Sequence, residues 1–195
     1  MVYAVLASQY HVHCHFAGRM SHGEVRSCNK VGRYPLLKRY YFSTTVDSFL
    51  VANSDEILGV LTKSHEYALE QTQRDAWLEQ ITILQSALEG LQGSIYFEYS
   101  IPRMGKRIDV VLLIGPIVFV LEFKIGESEF ASHSIDQVFD YALDLKNFHE
   151  ASHDKYIAPI LIATNARCKL ATIAATLQHD KLFIPIKCNV ELLRS

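Results

Sequence analysis

Apolar positions recur at helical spacing in three parts of the chain. The clearest stripe alternates spacings of four and three residues, which is typical of an amphipathic helix. Its members are Trp77, Ile81, Leu84, Leu88 and Leu91. Asn53 predicts the start of an earlier helix ending near residue 68, and Thr72 predicts the start of the helix that carries the stripe. A further helix is predicted from about residue 133 to 149.

Between these helices the apolar residues form short runs that are typical of strands. The runs occupy residues 95–101, 107–114, 117–124 and 157–164. The run 117–124 is apolar at nearly every position, which predicts a central strand buried on both faces. A short helix over 169–178 and a last strand over 182–186 are also expected. This order predicts an α/β fold in which helices flank a mixed central β-sheet.

Strand pairing brings two carboxylates together. Gly115 and Pro116 predict a tight hairpin turn, so that Ile114 lies opposite Ile117. Asp109 precedes the first of these by five residues and Glu122 follows the second by five, which makes the two carboxylates cross-strand neighbours. Like charges in that position are unfavourable, and a divalent cation relieves the repulsion.

Val118, Val120, Glu122 and Lys124 share one face of the predicted strand, because side chains two residues apart point the same way. Lys124 would supply a fixed positive charge beside a phosphate or an attacking water. A plain salt bridge between Lys124 and Glu122 at a strand end, with Asp109 capping a turn, is the structural alternative. The lone aspartate on the preceding apolar strand favours the metal site.

Bulk composition narrows the function only a little. The 195 residues have a net charge of −2, so overall charge does not argue for nucleic-acid binding. The four scattered cysteines predict neither a disulfide framework nor a zinc ribbon. The apolar runs are too short to cross a bilayer, so we expect no membrane partner and a cytoplasmic location.

Asp109 together with Glu122-Phe123-Lys124 resembles the PD-(D/E)xK nuclease superfamily, whose core has this order of elements. Residues 97–109, the Leu-Glu-Phe-Lys strand and residues 136–149 look more specifically like one group within it. That group is the N-terminal nuclease-like domain of bacterial proteins with a Schlafen group 3-like DNA/RNA helicase domain (the DUF2075 group). The resemblance covers roughly residues 40 to 190.

The resemblance implies a restriction-endonuclease-like core and hydrolysis of phosphodiester bonds in DNA or RNA. It implies that Mg²⁺ or Mn²⁺ is held by Asp109 and Glu122, with the Phe123 carbonyl as a further ligand. It makes Lys124 the catalytic lysine and Gln137, on the following helix, a further member of the catalytic set. A surface polar helix is an equally weighted interpretation of Gln137.

Nucleic-acid contact is predicted at four residues around this site, which are Arg103, Lys106, Arg107 and Tyr141. The basic residues lie on the approach to Asp109, where they would contact phosphates without reading sequence. A solvated basic loop that pairs with Glu98 is the alternative. Glu79, on the Trp77 helix, is a weaker candidate for an additional acidic residue.

Residues 1–38 are expected to be a variable or poorly ordered extension, followed by a nuclease-like domain over 39–195. The relatives continue into a helicase domain, but this chain has no phosphate-binding Gly-x-x-x-x-Gly-Lys-Ser/Thr loop. A stand-alone domain or a truncated relative is therefore expected, with a separate helicase as a candidate partner. A homodimer is a second candidate assembly, because nucleases of this fold often pair to cut two strands.

Two other functions compete with the nuclease. A catalytically inactive domain that binds nucleic acid or a partner protein is the stronger competitor. The more distant one is a zinc metallopeptidase, since His149-Glu150-Ala151-Ser152-His153 matches His-Glu-x-x-His. That motif falls at the end of its predicted helix, and no third ligand follows nearby.

Overall fold

The computed structural model describes residues 39–65, 70–101, 105–169, 173–178 and 180–194. Arg103 and the expected N-terminal extension, residues 1–38, lie outside the described residues. The helices and strands follow one another as β1 (Phe42–Thr45), α1 (Val46–Val51), α2 (Ser54–Ser64), α3 (Gln71–Ala87), β2 (Gly93–Ser100), β3 (Arg107–Ile114), β4 (Ile117–Lys124), α4 (Ser132–Phe148), β5 (Tyr156–Ala163), β6 (Ile186–Cys188) and α5 (Val190–Arg194). A single 3₁₀ turn, Glu150–Ser152, lies between α4 and β5.

Six strands form one sheet in the described part of the chain, in the spatial order β1-β2-β3-β4-β5-β6. The first four pair antiparallel, whereas β4, β5 and β6 pair parallel. A parallel pair needs a long crossover connection, and α4 provides it between β4 and β5. The predicted α/β class with a mixed central sheet is confirmed.

Helices pack on both faces of this sheet. One core cluster joins the apolar faces of α2 and α3 to the sheet, with Trp77 fully buried in it. A second cluster joins α4 to the other face through Val138, Ala142 and Leu145. Every residue of β4 except the last is buried, because β4 lies between the two clusters. The predicted division of its side chains between two faces is confirmed.

Several predicted boundaries differ from the structure. α2 ends at Ser64, and the N-cap of α3 is Glu70 instead of Thr72. The expected helix over 169–178 is absent from the described residues of that range, where Ala175 bridges Phe183 antiparallel. The last strand begins at Ile186 and not at Leu182. Leu182 and Phe183 form only isolated bridges, to Ile157 and Ala175, and the regular ladder with β5 starts at Ile186.

None of the helices in the described ranges has both the length and the apolar character needed to span a bilayer.

Candidate functional site

The site lies where β3 and β4 separate. Gly115 adopts the positive φ of 56° that the hairpin turn requires, and Ile114 pairs with Ile117 as predicted. The ladder runs from that pair to Val110 and Leu121 and then stops, one position before Asp109 and Glu122. On its other side β4 stays paired with β5 as far as Lys124. The gap that opens between β3 and β4 is therefore lined by the two carboxylates.

Asp109 takes the place of the missing backbone bond. Its Oδ2 accepts a hydrogen bond of 2.9 Å from the backbone N–H of Phe123. Burial raises the pKa of this carboxyl group, although the Phe123 N–H and the nearby Lys124 ammonium both act in the opposite direction. Asp109 is thus held against β4, next to the residue that follows Glu122.

Glu122 is almost completely buried, with 4% of its surface exposed. Its Oε1 accepts a bond of 3.0 Å from Lys124 Nζ. Its Oε2 is buried without a hydrogen-bond partner in the part of the chain that the structure describes. Loss of hydration is the largest cause that raises the pKa of Glu122, and the negative charge of Asp109 raises it further.

Lys124 connects the strand to α4. Its ammonium donates to Glu122 Oε1 at 3.0 Å and to Gln137 Oε1 at 3.2 Å. Gln137 in turn donates through Nε2 to the hydroxyl of Tyr141, at 2.8 Å. The structure thus brings Gln137 to the predicted site, one helical turn before Tyr141, which lies on the buried face of α4.

Glu98 is a third acidic residue that the sequence reasoning assigned only a structural role. The register of β2 and β3 skips Glu98 and Asp109, which lie between the pairs Phe97–Val110 and Tyr99–Ile108. Glu98 has a φ of 52°, which is unusual for a residue that is not glycine. The Glu98 Oε1 accepts a hydrogen bond of 2.8 Å from Trp77 Nε1, and the Glu98 Oε2 lies 3.4 Å from Arg107 Nε. Burial raises its pKa to about 7, and the charge of Asp109 contributes. Glu79, the weaker candidate, is exposed.

Lys106 and Arg107, two of the basic residues predicted to contact nucleic acid, form ion pairs and ring contacts within the protein. Besides Glu98, Arg107 contacts the ring and the hydroxyl of Tyr41. Lys106 lies 3.6 Å from Asp144 Oδ2 and 5.9 Å from the centre of the Tyr141 ring. The pairing of Arg107 with Glu98 matches the alternative considered above. Phosphate contact by these residues stays a prediction.

The His-Glu-x-x-His segment does not lie on one helix. α4 ends at Phe148, and His149 is extended with φ −113° and ψ 101° before the 3₁₀ turn begins. Two histidines four residues apart share a helix face only while the α-helix continues through both. His149 Nδ1 lies instead 2.6 Å from Ser152 Oγ. This local geometry does not match the zinc-binding helix that the motif requires.

Acidic groups outnumber the cations bonded to them around the gap. Glu98, Asp109 and Glu122 act on one another there, and Arg107 and Lys124 form the ion pairs with them. Oxygen ligands of this kind suit Mg²⁺ or Mn²⁺, which need only one or two carboxylates besides water and phosphate. The unpartnered Glu122 oxygen fits such an ion. No cluster of three or more His, Cys, Asp or Glu side chains with metal-binding geometry occurs in the described ranges.

Comparison with protein-family models, with curated proteins and with solved structures finds no match to this chain.

Metal-free stability should fall as the pH rises through neutrality. The pKa of Glu98 is raised from 4.5 to about 7, so the folded protein holds a proton there that the unfolded chain releases. Such a group stabilises the fold fully below its unfolded pKa of 4.5, and this contribution is lost as the pH rises through the folded pKa of about 7. The part of this loss that comes from Glu98 is about 3 kcal/mol, at 1.36 kcal/mol for each pKa unit.

Urea unfolding with EDTA, measured between about pH 5 and pH 8, tests this expectation. Glu98→Gln keeps an acceptor for the Trp77 N–H and should make the profile shallower by this amount, while Asp109 and Glu122, whose pKa values burial also raises, still contribute a slope. A wild-type profile that is already flat, or one unchanged by Glu98→Gln, would contradict the assignment of the titration to Glu98.

Proposed function

We propose that this domain is a metal-dependent nuclease that hydrolyses phosphodiester bonds of DNA or RNA. The observation that carries the proposal is that Asp109 and Glu122 lie together where the β3–β4 ladder ends, with Asp109 bonded to the Phe123 N–H and Lys124 bonded to Glu122. Two neighbouring carboxylates, one with an unpartnered buried oxygen, are costly unless a cation joins them. A lysine at the same place is the charge that phosphoryl chemistry uses.

We infer also that the fold is restriction-endonuclease-like. An antiparallel group of strands, a crossover helix and a parallel strand follow one another here, as the resemblance to PD-(D/E)xK nucleases leads one to expect. Membership in the DUF2075 group, a homodimer and a separate helicase partner belong to the same proposal. They rest on the sequence resemblance alone.

Asp109, Glu122 and the Phe123 carbonyl would hold Mg²⁺ or Mn²⁺. When bound, such an ion lowers the pKa of a water and stabilises negative charge on a transferring phosphoryl group. The protein holds both carboxylates on paired strands, which limits their movement. The Phe123 N–H fixes Asp109, and the Lys124 ammonium fixes Glu122.

Lys124 has the geometry for a second role. An ammonium group carries three N–H donors, and two of them point to Glu122 and Gln137. The third remains for a water or a phosphate oxygen. Gln137 is a positioning residue in this scheme, since it holds the ammonium while Tyr141 holds Gln137. About a quarter of the Lys124 side chain, 27%, is exposed, so a substrate can reach it.

Substrate would approach from the side of Lys106 and Arg107, with Arg103 nearby in sequence and Tyr141 beneath. A phosphate of the substrate would replace Asp144 as the partner of Lys106, or Glu98 as the partner of Arg107. Contacts of this type position a nucleic acid and weaken as the salt concentration rises.

Cleavage of end-labelled DNA and RNA, single- and double-stranded, tests the proposal. We expect products with Mg²⁺ or Mn²⁺, none with EDTA, and none with Asp109→Asn. That variant keeps an oxygen for the Phe123 N–H, so its fold should be intact. Metal-independent binding without cleavage, unchanged in Asp109→Ala, would instead favour the inactive binding domain. Bound zinc together with peptide hydrolysis would favour the peptidase.

A further inference from the structure

A cavity of about 430 Å³ lies on the face of the sheet that α4 covers. Its walls include four aromatic rings, and its floor is made by aliphatic side chains of β3, β4 and α4. The rings belong to Tyr40, Tyr96, Tyr99 and His149. The volume is within the range of about 300 to 1,000 Å³ that is usual for small-ligand sites.

Each ring stands nearly perpendicular to the next. Ring centres are 5.4 Å apart between Tyr40 and Tyr96, 6.3 Å between Tyr96 and Tyr99, and 6.2 Å between Tyr99 and His149. The angles between successive planes are 69°, 84° and 81°. The cavity therefore combines ring faces and ring edges, so a flat aromatic ligand can stack on one ring and contact the edge of another.

Polar groups at the cavity are few. Arg39 is exposed, and its guanidinium suits the bidentate recognition of a phosphate. His149 Nδ1 is engaged with Ser152, which leaves Nε2 as the ring nitrogen that can bond a ligand edge. One cation beside an aromatic box matches the chemistry of a nucleotide, which has a flat base and a negative phosphate.

We propose that this cavity binds an unpaired nucleobase of a single-stranded nucleic acid, with Arg39 on the adjoining phosphate. The inference rests on the proposed function, because a nucleic acid must be the substrate. It adds the substrate class, a strand with at least one unpaired base. A base inside a duplex cannot enter the cavity without leaving its stack.

The cavity and the candidate site lie along the same helix. α4 contributes Gln137 to the site, and its C-cap His149 lies at the cavity. Twelve residues of helix span about 18 Å. A straight strand stacked at about 3.4 Å per nucleotide would cover that length with about five nucleotides.

Fluorescence anisotropy with labelled oligonucleotides in EDTA tests the inference without any cleavage. The probes are single-stranded DNA, single-stranded RNA and a blunt duplex of one sequence, with adenosine monophosphate as competitor. We expect the single strands to bind more tightly than the duplex. Tyr96→Ala should weaken single-strand binding about tenfold, whereas Tyr96→Phe, which keeps the ring, should not. Arg39→Ala changes an exposed residue and should also weaken single-strand binding.

Equal affinity for duplex and single strands would overturn the inference, as would single-strand binding that is unchanged in folded Tyr96→Ala and in Arg39→Ala. If Tyr96→Ala does not fold, Arg39→Ala decides. Competition by the mononucleotide at its own micromolar affinity, without preference for a strand, would identify a free-nucleotide site and also overturn it. Metal-dependent cleavage that is equally fast in wild type, Tyr96→Ala and Arg39→Ala would support the nuclease proposal and reject the role of the cavity. Single-strand binding that depends on Tyr96, without cleavage, would support the cavity and reject the nuclease.

Discussion

Replacing Lys124 by methionine should lower the rate of metal-dependent cleavage about 100-fold or more, while nucleic-acid affinity changes little. The ammonium has one donor left for water or phosphate after its bonds to Glu122 and Gln137. Charge of this kind acts mainly where negative charge develops in the transition state, so its loss should affect kcat more than binding. Methionine keeps the aliphatic stem.

Single-turnover cleavage and anisotropy, both measured on the same oligonucleotide, separate the two effects. Lys63→Met is the matched control, since it removes the same charge from an exposed position in the last turn of α2. If Lys124→Met and Lys63→Met cleave equally fast, Lys124 is not catalytic. If Lys124→Met loses binding and cleavage in parallel, its role is attachment of the substrate.

Glu122→Gln should abolish the stabilisation of the fold by Mn²⁺ without destabilising the metal-free protein. Glutamine keeps an oxygen that can accept from Lys124, and it removes the repulsion between Glu122 and Asp109. In wild type, an ion at about 100 times its Kd adds about 2.7 kcal/mol. For a domain of this size that shifts Tm by roughly 5 to 10 °C.

Thermal unfolding with and without Mn²⁺ measures the shift. Glu129→Gln is the control, because Glu129 is exposed on the loop that follows β4 and loses the same charge. A binding site at Glu122 requires a shift in wild type and in Glu129→Gln but none in Glu122→Gln. Equal shifts in all three proteins would place the ion elsewhere.

Local rules predicted the hairpin that positions the site. A two-residue turn fixes the register, and register fixes which residues stand opposite each other for the whole length of the pair. The register from Ile114–Ile117 to Val110–Leu121 therefore followed from Gly115 and Pro116, and it places Asp109 and Glu122 directly beyond the end of the ladder. The face shared by Glu122 and Lys124 followed in the same way from the period of a strand.

Other parts of the site depend on tertiary contacts that no local pattern reveals. Glu98 turns to Trp77 because its backbone adopts a positive φ, which the alternation of β2 does not indicate. β1 has four residues and gains its bonds from β2, so its own sequence carries too little periodicity. The helix expected over 169–178 is absent from residues 173–178 because Ala174, Ala175 and Thr176 pair instead with residues 182–184, and local helical spacing does not reveal these contacts.

Diffraction from crystals containing Mn²⁺ shows directly whether Asp109 and Glu122 share one divalent ion. We expect an anomalous peak within about 2.4 Å of an oxygen of each carboxylate. The contradicting result is no peak at saturating Mn²⁺, with Asp109 still on the Phe123 N–H and Glu122 bound only to Lys124.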